Sequence, residues 1–98
     1  MNVLVTYDVS TLTKAGRRRL RRVARVCKDF GQRVQYSVFE CVVGDAEYVR
    51  LRGRLLDEID PKEDSLRLYR LNVSFRDGDM VERFGRDTAV DFDDPLIV

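Results

Sequence analysis

The sequence predicts an α+β two-layer sandwich built as one domain, and three observations carry that prediction. At 98 residues the chain is too short to divide into separate cores. Its composition, 44% hydrophobic and 36% charged with 6 Gly and 2 Pro, supplies enough apolar surface to fold. The hydrophobic period also changes along the chain, from two in β-branched stretches to 3.6 in longer amphipathic ones, so strands alternate with helices.

Asn2–Val9 (NVLVTYDV) is rich in β-branched residues and reads as a buried first strand running into the turn-forming STLT cluster. Alternation sets Val3, Val5 and Tyr7 on one face and Leu4, Thr6 and Asp8 on the other, so Asp8 projects from the strand's carboxyl end. From Lys14 to Phe30 the apolar residues Leu20, Val23, Ala24, Cys27 and Phe30 keep helical spacing, and Gly31 ends the helix. Arg33–Val43 (RVQYSVFECVV) is a second β stretch, one bent strand or two short ones; unbroken alternation would put Gln35, Ser37, Phe39 and Cys41 on one face. Asp45 is the expected N-cap of a second helix with the stripe Tyr48, Leu51, Leu55, Leu56 and Ile59, closed by Asp60-Pro61. Ser65–Val73 is another strand, Arg76–Asp79 a turn and Met80–Phe84 a short strand. The order β-α-β-α-β-β, with both helices on one sheet face, is that of a ferredoxin-like sandwich over residues 1–85. Residues 86–98 form a tail whose apolar end, Pro95-Leu96-Ile97-Val98, needs something to pair with.

The other sheet face, expected to carry Leu4 and Phe39, would be a large apolar patch on a monomer, which predicts a two-fold homodimer with sheets face to face. The tail could then add a strand to the partner's sheet edge. No apolar run approaches the roughly 20 residues that span a bilayer, and the opening has neither a basic n-region nor a cleavage site, so a soluble, cytoplasmic protein without a membrane partner is expected. Cys27 and Cys41 fall inside hydrophobic patterns and read as buried thiols of a reducing compartment. With His 0, a histidine base, a His-ligated zinc and a serine-histidine triad are excluded.

The net charge of +1 conceals an asymmetry. Lys14 to Arg33 holds nine cations and one acid, Asp29, whereas Asp77 to Asp94 holds seven acids and two arginines. Fifteen of the eighteen cations are Arg, whose fork grips phosphate oxygens in two places. Charges opposite an apolar stripe are ordinarily a solvated helix face, but such faces mix signs, and like charges one turn apart destabilise a helix unless an anion relieves them. Phosphate backbone is the expected relief, so Arg17, Arg18, Arg19, Arg21, Arg22, Arg25 and Arg33 are candidate nucleic-acid contacts. Aromatic residues interleave poorly with the run, which favours backbone or duplex binding over stacking on single-stranded bases. The segments DPKED (60–64) and DFDD (91–94) lack calcium-loop spacing and read as solvated turns without chemistry.

Asp8 is the candidate metal ligand and catalytic carboxylate. One carboxylate is a poor magnesium site, but a two-fold axis beside Asp8 would supply a second, and Mg²⁺, or Mn²⁺ in its place, would activate a water and neutralise a scissile phosphate without histidine. The bland alternative is that Asp8 only caps the Ser10–Thr13 turn or the helix behind it. Tyr7 and Phe39 fit a core or interface better than a base-stacking platform.

NVLVTYDVS, the basic helix, GQRVQYSVFEC, SLRLYRL and the closing DDPLIV together resemble the second of the CRISPR-associated protein families, the small companion of the spacer integrase, across nearly the whole chain. The closing segment is similar to the branch associated with subtype I-C systems. The resemblance implies a ferredoxin-like homodimer with an exchanged tail strand and a metal-dependent nuclease centre between subunits. It places the metal-binding acid on Asp8, the supporting aromatic on Tyr7, the R-V-Q-x-S-V-F pattern on Arg33, Ser37 and Phe39, and substrate-binding arginines on Arg17 and Arg19. It further implies a role in spacer acquisition, bridging integrase dimers and holding duplex DNA, with RNA or double-stranded DNA as the cleavage substrate. Two other readings stay open: a non-catalytic DNA-bridging adaptor, and a generic ferredoxin-like RNA-binding domain.

Overall fold

In the computed structural model, which describes residues 1–75 and 80–86, six elements follow one another: β1 (Asn2–Asp8), α1 (Lys14–Phe30), β2 (Gly31–Gln35), β3 (Val38–Val42), α2 (Asp45–Glu58) and β4 (Ser65–Leu71). The order is therefore β-α-β-β-α-β, and all neighbours in the sheet β2-β3-β1-β4 are antiparallel. This is the expected α+β ferredoxin-like class, but two elements differ from the sequence reading. The second β stretch is a hairpin that turns at Tyr36 and Ser37, and Met80–Phe84 carries only an isolated bridge at Val81. The fourth strand of the sheet thus comes from the middle of the chain. The predicted turn at Arg76–Asp79 and the tail strand lie outside the described residues.

The predicted alternation of β1 holds. Val3, Val5 and Tyr7 are buried against the helices, and register sets Val3 opposite Cys41, Val5 opposite Phe39 and Leu68, and Tyr7 opposite Leu66. Val23, Val26 and Cys27 from α1 and Leu51 and Leu55 from α2 close this core. Phe39 is fully buried here, not on the open face where the sequence placed it. The cause is the register: Phe39 stands opposite Val5 of β1, and residues directly opposite share a sheet face, so it joins the helix-covered side with Val5. Removing the Phe39 ring would cost about 3–5 kcal/mol. Asn2, Leu4, Thr6 and Asp8 point to the face away from α1 and α2, where the first three have the register neighbours Val42, Glu40 and Val38 on β3 and Leu71, Tyr69 and Arg67 on β4.

The cap positions follow from local chemistry. Thr13 caps α1, its hydroxyl accepting the Gly16 N–H at 3.0 Å. Gly31 ends α1 with φ −163°, ordinary extended backbone, so space rather than left-handed freedom explains glycine: a Cβ there would lie 2.4 Å from the Cys41 sulfur. Gly44, rather than Asp45, is the N-cap of α2, and Glu47 Oε1 accepts its N–H at 3.0 Å. Asp45 sits in the first turn instead, where its charge suits the helix dipole. Between the helices, Arg54 pairs with Asp29 at 2.8 Å, which neutralises the one acid of the basic run, but both side chains are about half exposed and the pair adds little stability.

Candidate carboxylate centre and nucleic-acid interface

Asp8 is the last residue of β1, exposed, on the face away from α1 and α2 and paired through its backbone with Ser65. Among the described residues no three His, Cys, Asp or Glu side chains come together as a metal cage. Asp8 thus belongs to no such cluster among the described residues. Magnesium is held through one or two carboxylates with waters and substrate phosphates, so Asp8 would be a minimal donor to such an ion and a second Asp8 would complete the pair. Ser37 stands at the same end of the sheet: its carbonyl accepts the Tyr7 N–H at 3.1 Å, and with Gln35, Tyr36 and Val38 it lines a shallow depression.

Tyr7 and Phe39 lie on the other side of the sheet from Asp8. Their ring centroids are 6.3 Å apart at an interplanar angle of 24°, and the Arg33 guanidinium sits 5.0 Å from the Phe39 centroid. The Tyr7 hydroxyl donates to the Tyr36 carbonyl at 3.4 Å. Burial pushes its phenol above the ordinary value, with Arg33 opposing the shift. Tyr7, Phe39 and Arg33 thus brace the end of β1 from beneath. The thiols of Cys27 and Cys41 lie in the same core, pushed by burial up to about 12 and about 11.

On α1, Arg17, Arg18, Arg21, Arg22 and Arg25 are all exposed, and steps of three and four residues gather them with Lys14 and Lys28 on one side of the helix. Arg17 donates to the Thr11 carbonyl at 3.1 Å, and Arg22 approaches Glu58 at 4.0 Å. Arg18, Arg21 and Arg25 enter no ion pair among the described residues.

Arg19 differs from its neighbours and corrects the sequence reading. It lies three residues from Gly16, four from Val23 and seven from Val26, all buried, so the helix turns it inward. Its Nε donates to Asp64 Oδ2 at 2.8 Å and its Nη2 to Oδ1 at 3.3 Å. The Asp64 side chain is fully screened from solvent, and it also accepts the N–H groups of Ser10 (3.1 Å) and Asp60 (2.8 Å). Burial alone would raise its carboxyl, but Arg19 and the two backbone donors outweigh that and hold it below the ordinary carboxylate range. Asp64 is therefore no solvated turn residue. The signal that could have exposed it is the phase of Arg19, a cation on an apolar stripe that requires a buried partner.

Residues 1–75 match the family described as CRISPR associated protein Cas2. The chain is 54% identical over 98 residues, all of both chains, to CRISPR-associated endoribonuclease Cas2 1 of Moorella thermoacetica. It is 46% identical over 97 residues, 99% of each chain, to CRISPR-associated endonuclease Cas2 of Halalkalibacterium halodurans. Among solved structures, Streptococcus pyogenes Cas2 at pH 6.5 superposes with a TM-score of 0.69 at 61% identity, covering 74% of this chain and 87% of that one. The four-stranded antiparallel sheet, its likeness to the solved structure and the match across most of the sequence agree: this chain belongs to the Cas2 family of CRISPR-associated proteins.

Proposed function

We propose that the chain works as a homodimer that cleaves phosphodiester bonds of RNA or duplex DNA with Mg²⁺, or Mn²⁺, between two Asp8 carboxylates, and holds duplex DNA during spacer acquisition. The observation that carries this reading is Asp8 itself, exposed at the end of β1 on the sheet face away from α1 and α2. That face bears Leu4, Val38, Val42, Tyr69 and Leu71, with Val42 69% and Tyr69 39% exposed, so a second copy of the same face would bury apolar surface. A two-fold axis past the end of β1 then sets one Asp8 beside the other. The bound ion would supply charge neutralisation at the phosphate and a more acidic water. The chain's own part is to hold the ion through Asp8, while the exposed arginines of α1, in the opposite layer, hold the duplex away from the ion. The endoribonuclease and endonuclease names of the relatives support the class of reaction.

Purified wild type should cleave in Mg²⁺ and stop in EDTA, and Asp8→Ala should lose cleavage while binding duplex as before. Cleavage surviving in Asp8→Ala would assign the activity to another site or a contaminant.

A second reading, a non-catalytic bridge for the spacer integrase, is favoured by the placement of Arg18, Arg21 and Arg25. Their helix lies in the layer opposite the face that carries Asp8, so gripping a duplex there does not by itself present a phosphate for cleavage. Wild type that binds duplex and never cleaves under any divalent ion would select this reading.

A further inference from the structure

We propose that Asp64 and Arg19 form a positioning clamp for Asp8, fixing the β1–α1 connection so that an otherwise unsupported carboxylate stands in one place. The inference rests on Asp8 being the metal-holding residue. Asp8 is exposed at the end of its strand, so its carboxylate goes where the backbone puts it. The strand ladder holds position 8 through Ser65, and everything beyond depends on the connection of residues 9–13.

That connection is held at four points. The Ser10 N–H donates to Asp64, Val9 is buried in the core, the Thr11 carbonyl accepts from Arg17, and Thr13 caps α1. The Ser10 carbonyl is wedged against Gly16, where a Cβ would stand 2.0 Å from its oxygen. Of the hydrogen bonds among these, the one to Asp64 reaches beyond α1 and its cap to the α2–β4 side of the sandwich. The same carboxylate takes the Asp60 N–H, which closes the α2–β4 loop, and the bidentate Arg19 fork, which anchors α1. Asp64 immediately precedes Ser65, the ladder partner of Asp8, so one buried side chain sets both backbone segments flanking the candidate centre. Groups that orient a metal-holding side chain without touching the ion typically matter by 10–100-fold in metal affinity or activity.

The test uses the full-length protein with Arg19→Gln, Arg19→Lys, Asp64→Asn and the Arg19→Gln/Asp64→Asn double variant. Three quantities are read: amide hydrogen exchange at Ser10, duplex affinity with its salt dependence, and Mg²⁺-dependent turnover with the Mg²⁺ concentration at half-maximal rate. A clamp predicts that Arg19→Gln and Asp64→Asn each speed Ser10 exchange and each cut kcat about tenfold with a raised Mg²⁺ requirement. KM and the salt slope of duplex binding should not move. The double variant should be no worse than the singles, because they break one unit, and Arg19→Lys, which keeps the charge but not the two-point fork, should recover part of the loss. Unchanged Ser10 exchange in folded Asp64→Asn overturns the proposal. So does an Arg19→Gln variant that loses duplex affinity and salt slope while Asp64→Asn keeps both, since Arg19 would then be a phosphate contact. Should Asp64→Asn not fold, the Arg19 pair decides, because those variants leave both backbone bonds to Asp64 in place. Cleavage that survives Asp8→Ala overturns the reading of Asp8 alone, and Ser10 exchange still decides the clamp.

Discussion

Replacing Arg18, Arg21 and Arg25 by Gln tests whether the outer face of α1 is a phosphate-binding surface. These three arginines are exposed, share one side of the helix and enter no ion pair among the described residues, so removing their charge breaks no internal contact. From Arg18 to Arg25 is seven residues, about 10 Å of helix axis. One DNA strand presents about three phosphates over that length. If each guanidinium neutralises one of them, the slope of log affinity against log salt should fall in magnitude by about 2.7 per engaged chain. Between about 50 and 200 mM salt, wild type should then lose about 40-fold more affinity than the triple variant does. Fluorescence anisotropy with a labelled duplex across that range measures it. Arg19→Gln is the internal control, since its guanidinium is held by Asp64, and it should keep the wild-type slope. An unchanged slope in the triple variant would refute the polyanion argument for α1.

Three further outcomes follow from the core and the connection. Gly16→Ala should destabilise the protein in urea unfolding although alanine is the better helix former, because its Cβ would meet the Ser10 carbonyl; overpacking of this kind costs about 1–3 kcal/mol. Asp64 has a lowered carboxyl pKa, so its contribution is complete above the ordinary Asp value of about 3.9 and is lost as pH falls through its folded value. Wild type should therefore lose urea stability over that acid window by more than Asp64→Asn does, and parallel curves would remove the ion pair from the account. Cys27 and Cys41 have raised thiol values, so their contribution is complete below the ordinary value of 9.0 and is lost as pH climbs toward about 11 and 12. At neutral pH an aromatic disulfide reagent should reach neither thiol until denaturant is added, and rapid native labelling would show that the core opens.

Much of the fold was legible because period and composition act locally. Helix α1 runs from Lys14 to Phe30 as its spacing predicted, and β1 ends at Asp8, one residue short of the expected end. The second β stretch resisted because its turn, Tyr36-Ser37, carries no Gly, Pro, Asn or Asp, and because the face of Phe39 is set by its pairing with Val5, a long-range register that local alternation does not reveal. Asp8 was legible as a lone exposed carboxylate at a strand end. Asp64 was not, because what buries it is Arg19, 45 residues away in sequence, and a solvated acidic turn and a buried ionic hinge have the same local composition. The arginine face was readable as a set, but the odd member, Arg19, could be told apart only by its phase on the helix.

The most direct test of the two-carboxylate account is the separation of the Asp8 oxygens in a crystal of the full-length protein grown with Mg²⁺ or Mn²⁺. With metal–oxygen distances of 2.0–2.1 Å, two carboxylates sharing one ion must bring an oxygen from each chain within about 4 Å. The account predicts a two-fold dimer with that separation and an ion between the chains. A monomer, or a dimer whose Asp8 side chains face separate pockets, would contradict it.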